Sequence, residues 1–185
     1  MVGMSTRIAF LRAVNLGTRR VRNARLVEVF EELGYRDAWT YINSGNVVFA
    51  ASGSRAALEE AIGAAIERDV GFEVTTFVRS AGELRDVVTR KPFEPGSGDT
   101  HFVTFLADRP TPSQRNDLES LSNDFDTLVV EGREVHWLMR GKSTDSKLVK
   151  RQWEQILGKN SSTSRNMTML SKLIDKVEAS KPSIQ

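Results

Sequence analysis

Arg12 and Asn15 share one short segment, Ser44 and Asn46 a second, Arg165 and Asn166 a third. A guanidinium is a planar donor fork that fits phosphate or carboxylate. An asparagine amide both donates and accepts, which suits the edge of a base or a sugar. With Gly17 and Gly45 these side chains make a candidate ligand-binding set. The competing explanation is local: Asn15 and Asn43–Asn46 satisfy their own turns, and Asn166 caps a helix. Catalysis has less to draw on. Neither N-terminal segment carries a carboxylate, Cys or His to act as base or nucleophile, and Ser44 has no histidine near it in sequence. His101 and His136 fall on different predicted strands without metal-ligand spacing. No metal site is expected, and no cofactor is indicated. Gly141-Lys142-Ser143 resembles the end of a phosphate-binding loop, but that motif needs a glycine where His136 stands.

The elements that position these residues follow from periodicity and punctuation. Arg7 to Val14 reads as a strand, with Ile8, Phe10 and Arg12 on one face and Ala9, Leu11 and Ala13 on the other. Leu26, Val29, Phe30 and Leu33 form one helical stripe, with Asn23 as cap and Gly34 as terminator. Trp39 to Ile42 and Val47 to Ala50 are hairpin strands around Asn43–Asn46. Leu58, Ile62 and Ile66 mark a second helix and Glu73 to Arg79 a further strand. Ser80-Ala81-Gly82-Glu83 is a capping box for a trailing helix that Pro92 prevents from running on. Residues 7–79 therefore read β-α-β-β-α-β.

The second half reads alike. His101 to Ala107 is a strand, and Thr111-Pro112-Ser113-Gln114 starts a helix. Thr127 to Val130 and Val135 to Met139 form a hairpin around Gly132. Trp153 and Ile156 lie on a helical stripe, Ser161 to Arg165 is a short strand, and a last helix follows Asn166. Phe10 falls on Phe105, Gly45 on Gly132, Arg79 on Arg165 and Leu84 on Leu170, at offsets of 95, 87, 86 and 86. Matched element order points to an internal duplication. The expected fold is α+β, with two tandem ferredoxin-like repeats of antiparallel sheets. The repeats span residues 1–90 and 101–185, joined by a Pro- and Gly-rich linker over 91–100. In that topology the ends of the first two strands lie at one sheet edge, which brings Arg12–Gly17 beside Asn43–Asn46.

Bulk properties narrow the function classes. The chain has 185 residues and no cysteine, which excludes disulfides, thiolate metal sites and a cysteine nucleophile. The run Ile8-Ala9-Phe10-Leu11 is too short for a secretory core or a membrane span. A cytoplasmic protein with no membrane association is expected. The net charge of +2 hides segregation: +5 over residues 1–30, −9 over 31–131 and +6 over 132–185.

The chain resembles the bacterial family called domain of unknown function 1697. The segments that carry the resemblance are LRAVNLG (11–17), TYINSGNVVF (40–49), FVRS (77–80), KPF (91–93), HFVTFL (101–106) and TSRNMT (163–168). The resemblance implies a cytoplasmic α+β protein of two similar repeats and no established reaction. Two positions depart from the pattern: Ala13 stands where the family usually has glycine, and Met167 where it usually has tryptophan.

The function expected is non-catalytic binding of a small anionic or nucleotide-like ligand at the two N-terminal loops. One alternative is weak, sequence-nonspecific nucleic-acid binding through the basic ends, where Arg19, Arg20, Arg22 and Arg25 would touch phosphates. Another is a phosphate- or nucleotide-processing enzyme whose base is not placed. Oligomeric state is not legible.

Overall fold

The computed structural model describes residues 3–15, 18, 20–42 and 45–180. Gly17 and Ser44 of the expected ligand set lie outside the described residues, as do Arg19 and Asn43. The chain divides into two compact units, Met1–Arg85 with Leu173–Gln185 and Asp86–Lys172.

The first unit runs β1 (Ser5–Leu11), α1 (Asn23–Glu32), β2 (Arg36–Thr40), β3 (Asn46–Ala51), α2 (Arg55–Val70) and β4 (Thr76–Ser80), then the start of α3 (Ala81–Thr89). Its sheet is antiparallel in the order β2-β3-β1-β4, so β1 and β2 point the same way with β3 between them. Strand alternation sends Ala9, Leu11, Val47, Phe49 and Val78 into a core with Leu26, Phe30, Leu58 and Ile62. Fully burying such a side chain contributes about 1.5–3 kcal/mol. Phe49 meets Phe30 edge-on at 5.0 Å and stacks on Tyr35 at 5.1 Å. The other sheet face, with Ile8, Phe10, Val48, Phe77 and Arg79, is buried too, which is why β1 reads as an apolar run. Lys176 Nζ lies 5.2 Å over the Trp39 ring and 5.7 Å over Tyr41.

The second unit runs β5 (Thr100–Leu106), α4 (Pro112–Glu119), β6 (Asp126–Glu131), β7 (Glu134–Met139), α5 (Lys150–Leu157) and β8 (Ser162–Asn166), then the start of α6 (Met167–Ala179). Its antiparallel sheet has the order β6-β7-β5-β8, and Leu106, Leu118, Leu128, Val130, Val135 and Trp153 fill its core. The chain is thus α+β, with two four-stranded antiparallel sheets consistent with two tandem repeats. Residues 90–99 hold no helix or strand.

Most helix starts lie where the sequence places them. Ser80 and Glu83 bond reciprocally, as do Thr111 and Gln114. Asn166 Oδ1 accepts from Thr168 N–H at 2.8 Å. The expected cap of α1 is corrected: Asn23 is its first helical residue, and the cap position belongs to Arg22, whose side chain has no acceptor and makes no capping bond.

Candidate functional site

The end of β1, from which the Arg12 segment leaves, lies against Gly45 and Asn46. Phe10 pairs with Asn46, and Leu11 N–H donates to the Gly45 carbonyl at 2.8 Å. On the other side Arg12 N–H donates to the Thr75 carbonyl at 2.9 Å. The asparagine side chains turn inward to their own loops. Asn46 is 4% exposed, and its amide donates to the Tyr41 carbonyl at 3.0 Å and that of Ile42 at 3.4 Å. Asn15 Oδ1 accepts from Val21 N–H at 2.9 Å, closing the loop that leads into α1. Ile42 holds φ 41° and is 58% exposed, an unusual conformation for a β-branched residue.

Described residues just before α1 form one wall of a cleft of about 770 Å³. Thr18, Arg20, Val21 and Arg22 line that wall, Ala24, Arg25 and Glu28 follow from α1, and Asp69, Val70 and Phe72 stand opposite at the end of α2. Arg12, Asn15, Gly45 and Asn46 do not line it. Arg25 fixes its width. Its Nε and Nη2 donate to Asp69 Oδ1 at 2.9 and 2.5 Å, and its Nη1 donates to Glu28 and Glu32 at 3.0 and 2.8 Å. These partners raise the Arg25 guanidinium further above its ordinary range, and Arg25 in turn holds the Asp69 carboxyl below its own. An acid so firmly ionised is a poor proton acceptor. Arg20 and Arg22 differ: both are exposed at the mouth, without a side-chain partner among the described residues.

Comparison with known proteins adds the family. The model of the protein family of unknown function DUF1697 matches residues 4–136. The chain belongs to the DUF1697 family. No curated protein matches the sequence. A solved structure of similar fold is that of the conserved bacterial protein SP0830 from Streptococcus pneumoniae. It is 19% identical, with a TM-score of 0.71, over 95% of this chain and 99% of that one. In this DUF1697 chain the cleft and both N-terminal loops fall inside the matched span, and Arg165-Asn166 falls outside it.

The backbone at Ala13 is unusual. Its φ is 59°, in the left-handed region that costs an L-residue about 1–2 kcal/mol and costs glycine little. Backbone geometry alone would favour a glycine at this position. Arg165 and Asn166 have local duties: Arg165 Nη1 donates to Thr163 Oγ1 at 2.8 Å and to the Ser164 carbonyl at 2.9 Å, and Asn166 caps α6. Burial pushes the Arg165 guanidinium down to about 10.

Sequence reasoning missed one polar cluster. His101 and His136, expected as separate strand residues, are neighbours on β5 and β7, with Nε2 and Nδ1 3.1 Å apart. They are 8% and 1% exposed. His136 Nε2 faces Glu131 Oε2 at 3.9 Å, and Arg90 Nη1 reaches the same oxygen at 3.9 Å. A carboxylate on that side favours the Nε2–H tautomer of His136, which leaves Nδ1 to accept from His101. Burial, then the charge of its neighbour, lowers each ring to about 4: His136 acts on His101, and Arg90 on His136. No signal linked these residues, because 35 positions separate them.

Proposed function

We propose that this chain binds a small anionic ligand of nucleotide size without catalysing its conversion, in the cleft between the 18–25 segment and the end of α2. One observation carries the reading: Arg20 and Arg22 line a roomy cleft, exposed and without a carboxylate partner among the described residues. The volume falls in the range of about 300–1,000 Å³ usual for small-molecule sites. Arg25, already satisfied by Asp69, Glu28 and Glu32, acts as a rigid strut. Val21, Val70 and Phe72 offer apolar surface to the body of the ligand. In this reading Arg12, Asn15, Gly45 and Asn46 belong to the frame beside the cleft, and the bond from Val21 N–H to Asn15 Oδ1 holds the residue between Arg20 and Arg22. The frame itself is proposed to be one of two duplicated ferredoxin-like repeats, meeting over 91–100, because both sheets share one strand order.

Thermal shift against a panel of nucleotides and inorganic phosphate tests it. A ligand at 100 times its Kd stabilises the protein by about 2.7 kcal/mol. The shift is expected in the wild type and lost in the Arg20→Ala/Arg22→Ala double variant. A shift of equal size in both would remove the ligand from this cleft.

A further inference from the structure

The two units make the same connection at different lengths. Between its third strand and second helix the first unit needs only residues 52–54, whereas the second uses 140–149. The fold does not require the extra chain. It is nevertheless pinned at several points. Arg140 N–H donates to the Phe125 carbonyl at 2.9 Å, and Thr100 Oγ1 donates to the Gly141 carbonyl at 2.7 Å. Ser146 Oγ donates to Asp126 Oδ1 at 2.7 Å and accepts from Leu148 N–H at 3.2 Å. Asp126 is fully buried, and it also accepts from Trp137 Nε1 at 2.8 Å and Asn123 Nδ2 at 3.1 Å. A connector that merely bridged two elements would not need a buried carboxylate as its anchor.

What this anchored loop displays is cationic. Residues 140–151 contain Arg140, Lys142, Lys147, Lys150 and Arg151 against a single acid, Asp145. Arg140 pairs with Asp99 and Lys150 with Glu154. Lys142, Lys147 and Arg151 are exposed and have no side-chain partner among the described residues. Exposed, like-charged side chains on and beside a pinned loop suit a polyanionic partner.

We propose that the 140–151 segment of the second unit is a docking surface for the phosphate backbone of nucleic acid, bound without regard to base. A lipid surface is the weaker fit. The exposed apolar side chain here is Val149, and membrane-lying segments bury a whole apolar face. The surface is independent of the cleft proposed for small anions, which lies in the other unit.

The test is fluorescence anisotropy of the full chain with a labelled single-stranded oligonucleotide, at salt from about 50 to 200 mM. Binding should weaken as salt rises. The Lys142→Ala/Lys147→Ala/Arg151→Ala variant should keep its thermal midpoint, because these side chains hold nothing in place. It should bind roughly tenfold or more weakly, with the slope of log K against log salt shallower by about 2. Arg20→Ala/Arg22→Ala should weaken oligonucleotide binding less than the triple variant does. Three results would each overturn the proposal: no binding at the lowest salt, equal binding by the triple variant, or stronger retention on phosphatidylserine vesicles than on the oligonucleotide.

Discussion

The two units share a strand order and differ in what they place on equivalent positions. In the first, Ile8 of β1 lies between Val48 of β3 and Arg79 of β4. In the second, Val103 of β5 lies between His136 of β7 and Arg165 of β8. The edge arginine recurs, while the neighbour that is apolar in the first unit is titratable in the second. The connections diverge as well, three residues against ten. The shared features are what the sheet needs. The unshared ones, a histidine pair and a pinned cationic loop in one unit and an arginine-rimmed cleft in the other, are where separate duties can reside.

The largest expected effect tests whether the long loop is truly anchored. Asp126→Ala removes the acceptor of three side-chain bonds and should cost about 3 kcal/mol or more. Urea unfolding would measure it, and hydrogen exchange should show faster amide exchange over residues 140–149. An unchanged midpoint would make the loop an ordinary connector.

The histidine pair predicts acid sensitivity confined to the second unit. Both rings sit near 4 when folded, below the ordinary value of 6.5. The unfolded chain therefore binds more protons between these values. Stability is full above 6.5 and is lost as pH falls toward 4. Between about pH 7 and pH 5 each ring contributes up to about 2 kcal/mol, and the pair less than the sum because solvent screens part of it. Denaturation across that range should show the loss, and His136→Val, which copies Val48, should reduce it. A flat profile in the wild type would erase this contrast between the units.

Smaller effects probe the first unit's frame. Asn46→Ala strips the hairpin of its bonds to the Tyr41 and Ile42 carbonyls and should cost about 1–2 kcal/mol in thermal or urea unfolding. Ala13→Gly should stabilise by up to about 1 kcal/mol, because glycine takes φ 59° without strain but loses more freedom on folding. A destabilised Ala13→Gly protein would show that the left-handed backbone is not a burden there.

These cases mark what the sequence carried. Element order, the hairpins and the Ser80 and Thr111 caps were legible because each rests on residues within one turn or strand. So was the placing of the end of β1 beside Gly45 and Asn46, which strand order dictates. The basic run from Arg19 to Arg25 was visible, but its cleft was not. Asp69 and Phe72 arrive from the far end of another helix, and no local pattern ties them to Arg25. The Asn23 cap failed because Arg22 adopts the extended backbone of a cap without an acceptor to fill it. Ala13 gave no sign of a left-handed backbone, since alanine is not a turn residue.

The C-terminal helix belongs to two assemblies. From Leu173 onward α6 is part of the first unit, where Lys176 sits over Trp39 and Tyr41 and Glu178 pairs with Arg85. The second unit is one uninterrupted stretch of chain; the first is not. During synthesis the N-terminal sheet emerges first, yet it must wait through all of Asp86–Lys172 before its last element leaves the ribosome. The unit made second can close first. Until then Trp39 and Tyr41 lack the lysine that covers them.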